Sequence, residues 1–133
     1  MAKGYDVNQE RRQALSLFGK DLARRAKSKC ELTQASGVPL LTYEIPPVPN
    51  DPDFERCLLI SEDVLAQLEQ PRSLRPGEWR HLNEVIWSDI PAVQAMALRI
   101  LRHLAPAEPW AQNLIEESYL HPGVEALANE APL

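Results

Sequence analysis

The chain has 133 residues, enough for one domain of ordinary size, and 44% hydrophobic with 25% charged residues is the balance of a globular protein rather than a disordered one. Two cysteines are too few for a disulfide scaffold, and no apolar run approaches the ~18 residues of a membrane span. The net charge of −5 is unevenly spread: residues 1–29 carry eight Lys/Arg against three Asp/Glu, whereas residues 30–77 and 78–133 each carry three against eight. A basic arm on an acidic body suits an anionic partner or contact with its own body.

The first element is a helix from about Asn8 to Ala26, with Asn8 as its cap and Leu15, Phe18, Leu22 and Ala26 as its apolar face. Lys20, Arg24 and Lys27 fall on the opposite face. They are the candidate anion contacts, and they equally describe a solvated helix face. No aromatic residues interleave them as base-stacking platforms would, so weak nucleic-acid binding is a secondary alternative.

Two short β-formers follow, "LLTYEI" (40–45) and "RCLLI" (56–60), separated by the proline-rich loop "PPVPNDPD". They predict a two-stranded ribbon-like segment over 30–63 that must pack on helices to be stable. Ser61 can cap a helix carrying Val64, Leu65 and Leu68. Pro76 suits the first turn of a helix running through Trp79, Leu82, Val85 and Ile86. "WSDIP" then marks a boundary, with Ser88 or Asp89 as cap. The next helix aligns Val93, Met96, Ala97, Ile100, Leu101 and Leu104 on one stripe, the strongest periodicity in the chain. A last helix runs through Trp110, Leu114 and Ile115 to about Tyr119. "HPG" closes it, and residues 122–133 are expected to be a loose tail. The fold expected is mainly α (α+β), a helical bundle with a small hairpin near the N-terminus, in a single domain over 1–133, with the three tryptophans as core.

The segments "KSKCELTQASGVPLLTYEIPPVP", "WSDIPAVQAMALRILRHLA" and "WAQNLIEESYL" resemble the PhnA-like family, named from bacterial phosphonate-utilisation gene clusters. The resemblance spans roughly residues 5–121. It implies a zinc ribbon with one Cys-x-x-Cys pair before the first strand and another after the second, four thiolates around one zinc. Here the first pair reads "CELT", with Thr33 in its second position, and the second reads "ISED", with Ile60 and Asp63 in both positions. Cys30 alone survives, and Cys57 matches neither pair. The resemblance with these departures implies a degenerate ribbon without its zinc, and the family's C-terminal, small β-barrel-like domain has no matching stretch here. The rival is a weak metal site from Cys30, Cys57 and Asp63 with a remote histidine such as His81.

No paired carboxylates, nucleophile with adjacent base, or phosphate-cradling glycine loop stands out, so no catalytic residue and no cofactor is assigned. His81, His103 and His121 are scattered and read as structural. Cys57 lies in an apolar run and reads as inert; Cys30 follows two lysines that could lower its pKa. The function expected is a non-enzymatic binding module with an unknown protein partner, acting through an uncovered ribbon edge or an apolar patch. The alternative, an enzyme or accessory factor of phosphonate metabolism, rests on the resemblance. Nothing resembles an export signal or a membrane segment, and the cytoplasm is the expected location.

Overall fold

A computed structural model describes residues 2–133, with side chains from residue 9 onward. The fold is mainly α, with one two-stranded antiparallel sheet. Helix α1 (Ala2–Ala26) leads into strands β1 (Leu40–Glu44) and β2 (Cys57–Ser61). Helices α2 (Glu62–Glu69), α3 (Leu82–Val85), α4 (Pro91–Leu104), α5 (Pro109–Glu117) and α6 (Pro122–Asn129) follow.

The hairpin is the middle layer. Its register pairs Leu40 with Ser61, Thr42 with Leu59 and Glu44 with Cys57. Side chains alternate across a strand, so the two faces meet different neighbours. Cys57 and Leu59, with Leu40, pack under Leu15, Phe18, Leu22 and Ala26 of α1. Phe18 meets Phe54 edge to face at 5.5 Å. Ile45, Leu58 and Ile60, on the opposite face with Leu41 and Tyr43, join the main helical core. A two-stranded ribbon is unstable alone, and here both faces are covered.

Helix α4 is the centre of the core. The whole stripe from Val93 to Leu104 is buried, and Ala92, Ala95, Leu98 and Arg99 are buried as well. A helix buried on nearly every side needs neighbours all round, and β2, α3, α5 and α6 supply them.

Five local expectations are corrected. Helix α1 begins at Ala2, so Asn8 is interior rather than a cap; nothing in residues 2–7 stops a helix as a proline would. The helix expected from Pro76 to Ile86 is instead a 3-10 turn at Pro76–Trp79 and the single turn α3. Between them, Trp79 is anchored to Gln67 and His81 to Leu32, which holds the chain off a regular helical path. Neither Ser88 nor Asp89 caps α4. Ile90 flanks it and Pro91 occupies its first turn, while the Ser88 hydroxyl accepts from the Ile90 N–H at 3.1 Å. Of the tryptophans, Trp79 is fully buried, Trp110 half-buried beneath Arg80, and Trp87 exposed.

The fifth correction is the largest. Residues 122–129, expected as part of a loose tail, form α6. His121 Nδ1 accepts from the Gly123 N–H (2.9 Å) as its cap and Pro122 fills its first turn. Val124 and Ala128 are buried against the core. Arg99 donates to the carbonyls of Leu127 (2.8 Å) and Ala128 (3.3 Å), placing a cation at the negative end of α6. Val124→Ala is therefore expected to cost about 2 kcal/mol in a urea titration, where a loose tail would give no change.

Candidate functional site

Residues 30–35 form the turn that the resemblance places at a metal. Its backbone closes on itself: the Cys30 N–H donates to Ala35 (2.9 Å) and the Gln34 N–H to Cys30 (2.8 Å). Glu31 then fastens the turn to β2. Its N–H donates to the Leu59 carbonyl (2.8 Å), and its carboxylate accepts from the Leu59 N–H (2.9 Å). Arg25, at the end of α1, grips the same carboxylate through Nε (2.9 Å) and Nη2 (2.7 Å) and also reaches the Cys57 carbonyl (3.0 Å). One buried ion pair thus joins helix, turn and strand, and it fills the edge of β2 that β1 leaves unpaired. Such a pair is costly to bury unless its remaining lone pairs and protons are satisfied. Here the carboxylate accepts three bonds.

The candidate metal ligands are each committed elsewhere. Cys30 is fully buried in the main core, whereas Cys57 lies in the cluster under α1. Asp63 is exposed and accepts from Arg75 at 2.8 Å through both oxygens and from Gln67 at 3.1 Å. His81 contacts the Leu32 carbonyl at 2.7 Å. Among the described residues no group of three or more His, Cys, Asp or Glu is placed to hold a metal ion. The donor set does not fit a tetrahedral zinc, because Ile60 offers no ligand atom and the two thiols serve separate clusters.

Burial, with Glu44 and Asp53 nearby, pushes the Cys57 thiol from its ordinary 9.0 up to about 11. The thiol donates to the Asp53 carbonyl at 3.3 Å, which requires its protonated form. A folded-state pKa raised in this way contributes stability that is intact below about pH 9 and is lost as pH rises through about 11. Denaturation midpoints are expected to fall over that window. Cys57→Ala should remove part of the slope, the rest belonging to Tyr43, whose pKa burial also raises.

Two clefts flank the turn. One, of about 480 Å³, is bordered by Arg25, Lys27, Gln34, His81, Glu84 and Ser88. The other, of about 600 Å³, is bordered by Thr33, Asp63, Glu78, Trp79 and His81. His81 stands between them, its ring stacked near Trp79 at 5.9 Å. Because a carbonyl only accepts, the Nε2 that meets Leu32 is the donor of that contact. Lys27, Ser28 and Gln34 hold φ of 57°, 59° and 64°. This left-handed backbone is unfavourable for non-glycine residues, and Lys27 and Gln34 both border the smaller cleft.

The basic arm is divided in use. Arg11 pairs with Glu44 and reaches the carbonyls of Pro49 (2.8 Å) and Asn50 (2.9 Å), and Arg25 pairs with Glu31, so these two serve the protein's own acidic body. Lys20, Arg24 and Lys27 are exposed; Arg24 lies 3.7 Å from Asp21. The structure brings Lys27 to His81 across one cleft but leaves Lys20 and Arg24 outside it. His103 contacts the Pro71 carbonyl at 3.1 Å and His121 caps α6. Sequence reasoning missed Glu31, whose partners lie 6 and 28 positions away. It also missed Arg99, a lone charge on an apolar stripe, which was itself the available signal.

No family model, no curated protein and no solved structure matches this chain.

Proposed function

We propose that this protein is a non-enzymatic interaction module of the cytoplasm whose partner adds a strand to the outer edge of β1. The observation that carries this reading is the asymmetry of the hairpin. Ile45 donates to the Arg56 carbonyl (2.9 Å), so alternation turns the backbone groups of Leu41 and Tyr43 toward β2 and those of Leu40, Thr42 and Glu44 outward. The matching edge of β2 is filled by Glu31 and Arg25. The outward groups of β1 have no backbone partner among the described residues. Arg11 covers the Glu44 end, leaving Leu40 and Thr42 as the open stretch, with Val38 exposed beside it. An open edge of this kind is a template for an added strand, with main-chain bonds supplying affinity.

Proline at an outward-facing edge position removes a donor without touching the ladder. Thr42→Pro should therefore keep the fold and abolish the contact. With a photo-crosslinker at Val38 in cells, wild type is expected to give a discrete adduct that Thr42→Pro loses. An adduct unaffected by Thr42→Pro, or none at all, would overturn the reading.

A second reading follows from the resemblance to the PhnA-like family: an enzyme or accessory factor of phosphonate metabolism. The cleft that places His81 beside Lys27 favours it. Against it, Arg25 is already neutralised by Glu31 and Glu84 adds a negative charge, leaving Lys27 as the cation available to an oxyanion. Calorimetric titration with a simple alkylphosphonate separates the readings: saturable binding lost in Lys27→Gln would support this one. Nucleic-acid binding through Lys20, Arg24 and Lys27 would instead appear in filter binding at low salt and vanish on their reversal.

A further inference from the structure

We propose that a cleft between α4 and residues 128–133 binds a small amphipathic carboxylate through Arg99 and Arg102. The cleft measures about 580 Å³, within the usual range for small-molecule sites, and Arg99, Arg102 and His103 stand along one side of it. Its other lining is largely apolar: Pro106, Ala128 and the chain from Ala131 to Leu133. A charged rim on an apolar hollow suits an anionic head with a hydrocarbon body.

Arg99 is the informative residue. It is 2% exposed, and burial lowers its affinity for a proton. No carboxylate lies within ion-pair distance of it among the described residues. Glu130 is near, but it is paired to Arg56 at 2.7 Å. The Nε and Nη2 groups of Arg99 donate to the end of α6, whereas Nη1 has no partner among the described residues. Arg102 donates only to the Asn129 side-chain oxygen, at 2.7 Å. Both guanidinium groups keep unspent donors that solvent reaches at the cleft, and an anion seated there would satisfy them. Guanidinium matches a carboxylate in planar, paired hydrogen bonds.

The test is calorimetric and NMR titration of the full chain with hexanoate, hexanol and inorganic phosphate at millimolar concentration. Hexanoate is expected to bind saturably, to shift the Ala128 and Asn129 amides, and to raise the melting temperature. Hexanol, without the head, should do none of these. Arg102→Gln, at an exposed position that leaves the α6 cap intact, should weaken hexanoate on the order of tenfold. Arg99→Lys should weaken it further if the variant folds. Binding of phosphate as tight as hexanoate would overturn the carboxylate assignment. No binding of hexanoate, or binding indifferent to Arg102→Gln, would overturn the site.

Discussion

Glu31→Ala is expected to destabilise the protein by about 3–5 kcal/mol, the range for breaking a buried ion pair from one side. The carboxylate is almost wholly buried and is the shared acceptor for Arg25 and the Leu59 N–H. Its removal leaves a half-buried guanidinium without its counter-charge and a buried strand amide without an acceptor. Against a total stability of about 5–15 kcal/mol for a domain of this kind, that is a large fraction. Glu31→Gln should fall between, because it keeps an acceptor for Leu59 but loses the charge. The double change Arg25→Met with Glu31→Leu should recover much of the loss, since no unpaired charge remains. Urea titrations of wild type, Arg25→Met, Glu31→Leu and the double variant close the cycle. A cost below about 1 kcal/mol for Glu31→Ala would mean that the turn is held by something other than this pair.

Trp79→Ala is expected to cost about 3–5 kcal/mol, the range for deleting a large buried aromatic side chain. Trp79 heads the fully buried side chains by size, and its indole N–H donates to Gln67 Oε1 at 3.0 Å. Gln67 is itself buried, and the same oxygen accepts from the Arg75 N–H at 3.1 Å. Trp79 therefore fills volume and also satisfies a polar group that ties α2 to the turn after it. Trp79→Phe separates these roles: it keeps most of the volume and loses the hydrogen bond, for an expected cost of about 1–3 kcal/mol. Loss of near-ultraviolet circular dichroism, with far-ultraviolet signal retained, would accompany the alanine variant if packing around α3 loosens before the helices do.

Much of the framework was legible because local chemistry decides it. The strands at 40–45 and 56–60 appear within a residue of their expected bounds, and Ser61 caps α2 by accepting from the Val64 N–H at 3.2 Å. The stripe from Val93 to Leu104 is the centre of the core, as its periodicity implies. What was not legible depends on contacts distant in sequence. Glu31 reads as a surface acid until Arg25 and Leu59 are seen around it. Arg99 reads as a charge on an apolar helix until α6 arrives to be capped by it. Helix α6 was missed although its signals were local: His121 and Pro122 serve as cap and first residue, and Val124, Leu127 and Ala128 share a face. Eight residues are too few for such a pattern to outweigh an expectation of fraying. The candidate metal residues show the converse. Their ribbon-like placement beside the two strands suggested a weak site, yet Cys30 joins the main core while the strand pleat turns Cys57 into the separate cluster under α1.

The central claim is that side-chain burial and the Arg25–Glu31 pair, rather than a coordinated ion, hold residues 30–63 together. Metal analysis of the purified protein, combined with thermal melts with and without a strong chelator, tests it most directly. The account predicts no stoichiometric metal and the same melting temperature in both melts. One equivalent of zinc per chain, with the melting temperature falling on chelation, would contradict it.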